Sequence, residues 1–382
     1  MQILFSIAMA LITLGVLVTI HEFGHYWVAK RCGVRVLRFA IGFGRPLVSW
    51  TGRDATEFAV CAIPLGGYVK MLDERDDEVV VTDANRSSSF NAQPVRNKLA
   101  IVAAGPAANF ALAILVLSGL FLRGETGLAP VIEAVAPDSI AAQSGLVVGQ
   151  EIVAVDGQPT KTVASVRFEL LKRLGDTGHI DLTVGNPLST VTDQYAVPIV
   201  SWLGVDEAPE PVTALGLTLG ILPVTPEVGS LTIDGAAMRA GFQVGDIITE
   251  ASGEPITQWS EWVDFVRARP GESFDVFVAR AGERLKLRVT PENRDAIGVV
   301  GMGVAVPDIP ESRIRRQSRG PLEAIVAAVE RTYALTLFTF ESMWKMLQGL
   351  ISTKNLSGPI SIAQIAASTA ESGFSTWLSF LA

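Results

Sequence analysis

The sequence predicts a multi-domain membrane protein, with an α-helical transmembrane core, a membrane-associated β-hairpin or small sheet, and two tandem α+β domains. Two charge-free runs, at 3–20 and 99–122, are each long enough to cross a hydrocarbon core of about 30 Å. Residues 130–185 align without a gap to residues 226–281, which indicates a repeated domain. The mean hydropathy is +0.37, and only 18% of the residues are charged, against roughly a quarter in soluble proteins.

The overall composition excludes several classes of protein. A chain of 382 residues that is 49% hydrophobic is not disordered and is long enough for two to four structural units. The net charge of −8 removes the usual electrostatic basis for nucleic-acid binding, so no nucleic-acid partner is expected. Two cysteines are too few for a disulfide framework.

Basic residues flank the segment between the two charge-free runs. They are Lys30, Arg31, Arg35 and Arg38 on one side and Arg86, Arg96 and Lys98 on the other. The positive-inside rule therefore places residues 30–98 in the cytoplasm or against the cytoplasmic face of the membrane. The amino terminus and everything after residue 122 are then expected outside.

The segments follow one another along the chain with boundaries that the patterns suggest. We expect a first transmembrane helix at 1–31, a cytoplasmic-side membrane-associated β region at 32–96, a second transmembrane helix at 97–124, the two copies of the repeat at 125–213 and 214–307, a linker with an amphipathic interfacial helix at 308–354, and the start of a third transmembrane helix at 355–382. A helix packed on the exported domain is the alternative for the amphipathic stretch. The last apolar run is too short to span, so we expect the natural chain to continue beyond Ala382.

The repeat carries eleven identical positions out of 56, four of them glycines at predicted turns. Each copy reads as strand, short helix, strand, helix and strand, and resembles a PDZ domain of the bacterial protease type. The resemblance implies a groove that binds the carboxyl ends of extended peptides. It also implies a carboxylate-binding loop for the second copy at Leu215, Gly216 and Leu217. The alternative is that both copies act only as steric bulk, without a ligand.

One short motif carries the chemistry. His21-Glu22-Phe23-Gly24-His25 is H-E-x-x-H, which on a helix places both imidazoles on one face. Zn²⁺ accepts neutral histidine nitrogens and lowers the pKa of a bound water to about 7, and Glu22 would take its proton. The alternative is a pair of histidines packed on polar neighbours. The motif lies at the end of a predicted membrane helix, where placing ionisable side chains costs free energy. This position favours a functional site over the structural alternative.

The motif occurs together with three other stretches, at 66–70 (GGYVK), 105–109 (GPAAN) and 355–360 (NLSGPI). This combination resembles the site-2 protease family of zinc intramembrane metalloproteases, in its bacterial branch with two PDZ domains. The resemblance implies that His21 and His25 are zinc ligands and that Glu22 is the general base. It also implies a third ligand, an aspartate of an L-D-G motif, which would lie after Ala382.

Substrate-binding residues also follow from the resemblance. Gly66, Gly67, Tyr68 and Val69 would lie beside the substrate in a hairpin at 39–71, where an edge strand could pair with an unwound substrate helix. An ordinary cytoplasmic hairpin is the alternative. Asn109 would either hold the substrate backbone or join two helices by a hydrogen bond.

The predicted activity is therefore that of an intramembrane zinc endopeptidase, acting in regulated proteolysis for an envelope stress response. The resemblance implies its substrates: single-span membrane proteins already cut at a first site, of the anti-sigma-factor type, and remnant signal peptides. The expected location is the bacterial inner membrane, multi-pass in the lipid bilayer, with periplasmic PDZ domains and an active site near the cytoplasmic side. The alternative function is a membrane-anchored PDZ adaptor with a degenerate metal site.

Overall fold

Two long apolar helices, Gln2–Arg31 and Val95–Arg123, contain the two charge-free runs. The computed structural model describes residues 2–75, 81–83, 85–186, 191–206, 209–220, 224–305, 309–356 and 358–382. The chain divides into two units, one formed by Met1–Glu125, Val205–Ala208 and Arg316–Ala382 and the other by Thr126–Gly204 and Pro209–Arg315. In the first unit, Leu4–Arg31 and Val95–Arg123 are long and apolar enough to cross a membrane.

Small residues bring these two helices close together. A Cβ atom built on Gly24 would lie 2.8 Å from the Cβ of Ala108 and would collide with the carbonyl oxygen of Ala104. Helices in apolar surroundings associate through such small residues, because these let the backbones approach closely.

A long, bulged β-hairpin follows the first helix. Its strands, Val36–Thr51 and Glu57–Met71, pair antiparallel, and Phe39 pairs with both Phe58 and Val69. The start of the first strand therefore lies between the two halves of the second strand. As a result, 67–71 forms an edge whose other side pairs with no strand in the described part of the chain.

The carboxyl-terminal part of the first unit is helical. Its α-helices are Pro321–Leu347, Pro359–Glu371 and Phe374–Leu381, with a 3-10 turn at Thr353–Asn355. Another 3-10 turn, Arg86–Ser88, lies between the hairpin and the second long helix. The helix Pro321–Leu347 lies antiparallel alongside Val95–Arg123, with Ala324 and Ala328 buried against Leu117 and Phe121. The expected start of a third helix at 355–382 is interrupted at Gly373, which has a φ of +125°, and Ser357 lies outside the described residues.

The second unit consists of two lobes with the same strand order. The four-stranded sheet of the first lobe runs Gln158–Pro159, Glu151–Val155, Gly178–Gly185, Thr192–Ile199, and that of the second runs Glu254–Pro255, Ile247–Ala251, Phe274–Arg280, Glu283–Val289. The helices are Ile140–Gln143, Val163–Leu171 and Pro211–Ala214 in the first lobe and Ala236–Arg239 and Trp259–Arg267 in the second. Shorter elements are the strands Glu125–Leu128, Glu292–Arg294, Ile297–Val299 and Ile314–Gln317 and the 3-10 turn Glu311–Arg313.

Equivalent turns in the two lobes require glycine. Gly145 and Gly241 have φ of +87° and +89°, and Gly149 and Gly245 both have +92°. Side chains other than glycine rarely adopt this left-handed conformation. The turn glycines therefore account for much of the identity between the two copies.

The loop at Leu215–Leu217 was assigned to the wrong copy of the repeat. The strand Leu217–Leu219 pairs with Ile132–Val135, and Leu215 and Leu217 are buried in the core of the first lobe. The equivalent strands of the second lobe are Val228–Leu231 and Met302–Val304. The boundary expected at 213/214 therefore cuts the first lobe, and the one expected at 307/308 lies outside the described residues. A strand that returns from beyond a helix has no local sequence signal, which explains the error.

A buried carboxylate of the second lobe has a neutral counterpart in the first lobe. In the second lobe Asp246 is fully buried and accepts two hydrogen bonds from Arg280, at 2.6 and 2.8 Å, and one from the backbone N–H of Gln243 at 2.8 Å. Burial alone would raise the pKa of Asp246, but the guanidinium and the N–H lower it below its ordinary value. At the same repeat position the first lobe has Gln150, which is neutral.

Candidate metal centre

The first helix presents the H-E-x-x-H motif on the side that meets the second helix. His21 and His25 are one helical turn apart, and their ring centroids are 4.9 Å apart at an interplanar angle of 78°. This spacing brings two imidazoles to one face of the helix.

The second helix holds the ring of His25 through a backbone carbonyl. Nδ1 of His25 lies 2.7 Å from the carbonyl oxygen of Ile101. A carbonyl only accepts hydrogen bonds, so Nδ1 must carry the proton. The lone pair of the imidazole is then on Nε2, which is the arrangement found in metal-ligating histidines.

Asn109 contacts the ring of His21 from the same helix. Its side-chain nitrogen, as oriented, lies 3.4 Å from Nδ1 of His21. Its side-chain oxygen is buried and has no hydrogen-bond partner among the described residues. Asn109 therefore lies next to the metal-binding motif, as well as in the cavity described below.

Gly105 lies between these two contacts and leaves a space that both histidines face. A Cβ atom built on Gly105 would lie 2.6 Å from Nε2 of His21 and closer still to Nε2 of His25. The two nitrogens thus lie close to one another above the Cα atom of Gly105. Neutral imidazole nitrogens are preferred zinc ligands, so these residues fit a zinc ion.

Two nitrogens are fewer than the three protein ligands of ordinary catalytic zinc sites. Across the described ranges, no group of three or more His, Cys, Asp or Glu side chains is arranged to hold a metal. The further ligand that the resemblance implies therefore has no counterpart among these residues.

Glu22 lies between the metal-binding residues and the edge strand. A Cβ atom built on Gly67 would lie 3.2 Å from Cγ of Glu22 and 2.7 Å from the carbonyl oxygen of Ala40. Glu22, His25 and Val69 line one cavity of about 350 Å³. The side chains of alternate strand residues point to the same face, so Gly67 and Val69 both lie at the site.

Tyr68 and Gly66 contribute to the hairpin itself. The hydroxyl of Tyr68 accepts a hydrogen bond from Arg38 at 3.2 Å, and its ring stacks on Phe43 with centroids 6.1 Å apart. Gly66 has a φ of +119°, and a Cβ on it would lie 2.5 Å from the Phe43 ring. The structure therefore brings two of the four predicted strand residues to Glu22 and turns the other two towards the hairpin.

A second cavity adjoins the other histidine. It measures about 420 Å³ and is lined by His21, Pro106 and Asn109, and by Thr332 and Thr336 of the helix Pro321–Leu347. The motif therefore borders two separate cavities, one beside each histidine.

The predicted carboxylate-binding loop is not part of this centre. The N–H groups of Leu215 and Gly216 donate to the carbonyls of Pro211 and Thr213, at 3.3 and 2.8 Å, and so close a local turn. Gly216 has a φ of +83°. These two amides are therefore not directed at a ligand.

An ion pair fixes the hairpin turn to the first helix. Lys30 lies 2.5 Å from Asp54, and this hydrogen bond lowers the pKa of Asp54 well below its usual range. Both side chains are about one-third exposed, at 33% and 31%, so the solvent-screened pair adds little to stability.

Sequence reasoning missed three contributors: Gly24, the carbonyl of Ile101, and the space over Gly105. Ile101, Gly105 and Asn109 are spaced by four residues and so follow one side of the second helix. The small pair Ala104 and Ala108 was the available signal, since such spacing marks a close helix contact.

The whole chain is similar to known proteases. The sequence model of peptidase family M50 matches residues 9–382. The chain is 40% identical to the regulator of sigma-E protease RseP of Salmonella typhimurium and to that of Escherichia coli, covering 100% of this chain and 85% of each relative. A protein of Vibrio cholerae named as a zinc metalloprotease is 38% identical, with the same coverage.

Solved structures match only parts of the chain. The PDZ domain of an SdrC-like protein from Listeria monocytogenes covers 22% of this chain and 90% of its own, with 16% identity and a TM-score of 0.20. An HtrA-type protease, AlgW, with a decapeptide covers 33% and 42%, with 20% identity and a TM-score of 0.16. These scores are too low to define a shared fold.

Proposed function

The chain belongs to peptidase family M50, the site-2 type of intramembrane zinc metalloprotease, and on this premise we propose that it cleaves transmembrane segments of single-span membrane proteins already shortened by a first cut. Anti-sigma factors and remnant signal peptides are the proposed substrates, within an envelope stress response. Relatives named as regulators of sigma-E protease support this class. The observation that carries the proposal is that the Nε2 atoms of His21 and His25 approach one point above Gly105, while Glu22 lines a cavity together with His25.

The chemistry that zinc supplies when bound is the acidification of a water molecule and the polarisation of a peptide carbonyl. His21 and His25 would hold the ion through Nε2. Glu22 would accept the proton of the attacking water and deliver it to the leaving amine, since a carboxylate can act first as base and then as acid.

The substrate is proposed to bind as an added strand. A transmembrane helix must unwind before a peptide bond can be cut, and its freed amides need hydrogen-bond partners in apolar surroundings. The edge at Gly67 to Val69 offers backbone groups beside Glu22, which supports pairing with an extended substrate. Asn109 lines the separate cavity beside His21.

A bacterial inner membrane is the proposed location. Leu4–Arg31 and Val95–Arg123 would span the bilayer, and the basic residues between them favour the cytoplasmic side for 30–98. The hairpin carries exposed Leu47, Val48 and Trp50, which supports its contact with lipid. The metal site would then lie near the cytoplasmic face, and the two lobes would lie in the periplasm.

The two lobes are proposed to be PDZ domains that bind newly exposed carboxyl ends of shortened substrates. In the first lobe the strand Leu217–Leu219 has one edge paired to Ile132–Val135. Its other edge pairs with no strand in the part of the chain that the structure describes, which supports the addition of a peptide strand there. Membership of a zinc-metalloprotease family favours the enzyme over the adaptor alternative with a degenerate metal site.

A Glu22→Gln variant tests the proposed reaction. The full-length protein in detergent would be given a single-span model substrate whose outer domain has been removed. We expect cleavage to fall by more than about 100-fold, the usual order for loss of an acid–base group, while the zinc content stays at one ion per chain. Glu283→Gln, an exposed residue of the second lobe, is the matched control and should cleave normally. Normal cleavage by Glu22→Gln would contradict the proposal.

A further inference from the structure

We propose that Asn109 is a positioning residue for His21: its side-chain oxygen accepts the Nδ1–H of that imidazole and thereby directs the Nε2 lone pair to the metal. The inference rests on the proposed function, because it concerns how the zinc ligand is oriented. It assigns Asn109 a role different from both roles that the sequence suggested, substrate binding and simple helix association.

The contact itself indicates which atom of the amide faces the ring. With the nitrogen of Asn109 towards Nδ1, at 3.4 Å, the amide would donate to that atom. Nδ1 would then lack a proton and Nε2 would carry one. A protonated Nε2 cannot bind a metal, yet it is the Nε2 atoms of both histidines that converge over Gly105.

The placement of the two Nε2 atoms over Gly105 decides between the two orientations of the amide. In either orientation one polar atom of the Asn109 amide is buried without a partner among the described residues, as Oδ1 is here, so this burial favours neither orientation. A half-turn of the amide about its Cβ–Cγ bond exchanges the two atoms without moving any other group. The oxygen then faces Nδ1–H of His21, and Nε2 is free for the ion.

The second helix would then supply one hydrogen-bond acceptor to the Nδ1–H group of each histidine. The carbonyl of Ile101 accepts from Nδ1 of His25 at 2.7 Å, and the oxygen of Asn109 would accept from Nδ1 of His21. The two acceptors are eight residues apart, and Gly105 is midway between them. One helix thus supplies both acceptors and the space between the ligands. A backbone acceptor is fixed for His25, whereas the acceptor for His21 depends on a side chain and can be removed by substitution.

The tautomer of His21 is the direct test. The full-length protein labelled with ¹⁵N-histidine contributes His21, His25 and His179 from this part of the chain, and His179→Gln assigns the exposed residue. Spectra of the metal-free protein at about pH 8, above the ordinary histidine pKa of about 6.5, show which ring nitrogen carries the proton. We expect the Nδ1–H form for both His21 and His25. An Nε2–H form of His21 would overturn the proposal.

Two substitutions separate positioning from the other roles. Asn109→Asp retains an acceptor oxygen, whereas Asn109→Leu has similar size and no acceptor. We expect Asn109→Leu to shift His21 towards the Nε2–H form and to weaken zinc affinity by about 10- to 100-fold in a chelator competition, the usual effect of losing such a partner. Asn109→Asp should keep the tautomer and remain within about threefold of the wild-type affinity. Asn97→Leu, on the same helix but bonded to Gln93, is the matched control.

The alternatives give different results. A residue that only binds substrate would raise KM in Asn109→Leu and leave the tautomer and zinc affinity unchanged, which overturns the proposal. A residue that only joins the helices would lower thermal stability in both variants without moving the tautomer, which also overturns it. The tautomer of His21 is measured without metal or substrate. Its outcome therefore does not depend on whether the protein shows the proposed proteolysis.

Discussion

Replacing Gly105 with alanine places a methyl group against both imidazoles of the H-E-x-x-H motif. The added Cβ would lie 2.6 Å from Nε2 of His21 and closer to Nε2 of His25. Ordinary contact begins at about 3.4–3.5 Å, so each imidazole would have to retreat by about 1 Å. Metal–ligand distances tolerate only about 0.2 Å. The substitution should therefore remove both ligands from the ion at once.

The assay is the zinc content of the purified full-length protein, with cleavage of a model transmembrane substrate measured in parallel. We expect less than about 0.1 zinc per chain and loss of more than about 100-fold in cleavage, since both proposed ligands are displaced. The helix itself should remain, because alanine is a better helix former than glycine by about 1 kcal/mol. Circular dichroism checks this point.

Gly119→Ala is the matched control for this experiment. Gly119 is in the same helix, and a Cβ built on it meets nothing within 4 Å. It should keep one zinc per chain and full activity. If Gly105→Ala also kept stoichiometric zinc and normal cleavage, the ion would not lie between the two histidines and the reasoning would be refuted.

Three further substitutions have expected outcomes. Gly24→Ala should separate the two long helices and lower the thermal midpoint by several degrees, since each kcal/mol of lost unfolding free energy corresponds to about 2–4 °C in a large chain. An unchanged midpoint in a thermal melt would argue against close packing of the two helices at Gly24. Gly67→Ala would bring its Cβ to 2.7 Å from the carbonyl oxygen of Ala40 and 3.2 Å from Cγ of Glu22. The edge strand must therefore shift beside Glu22, and we expect a lower kcat while zinc content stays at wild type. Loss of zinc instead would contradict this placement. Arg280→Met leaves Asp246 buried without its cation and should cost about 3–5 kcal/mol in denaturant unfolding at neutral pH. The folded-state pKa of Asp246 is lowered. The stabilisation by the ion pair is therefore present above the ordinary aspartate pKa of about 3.9 and is lost as the pH falls below that value. A stability difference between variant and wild type that does not change with pH would contradict the ion pair.

The sequence sufficed for features whose signal is local. The two long helices follow from their charge-free runs, and the spacing of His21 and His25 places them on one face because the helical period is fixed. The family, the protease class and the zinc chemistry also followed from short motifs, and relatives along the whole chain agree with them.

Features that depend on how two elements pack could not be predicted in this way. The contact of Ile101 with His25 and the space over Gly105 require the relative rotation of two helices. Leu217 returns to the first lobe by pairing with the strand Ile132–Val135, far away in sequence. The helix Pro321–Leu347 packs on the second helix through two alanines, although its pattern alone favoured a membrane interface.

In the hairpin, the edge strand could be predicted from the sequence, whereas the register of the strands could not. Its edge strand was expected from the need to bind an extended substrate, and Gly67 does lie beside Glu22. The bulged register was not foreseeable, because it depends on Phe39 pairing with two different residues. That register turns Tyr68 towards Phe43 and away from the site.

The position of the metal tests the central claim most directly. Crystals of the full-length protein measured on both sides of the zinc absorption edge would locate the ion by anomalous scattering. We predict a single strong peak between His21 and His25, over Gly105, at about 2.0–2.1 Å from each Nε2. A protein that cleaves its substrate but shows no peak there, or shows its zinc elsewhere, would contradict the account.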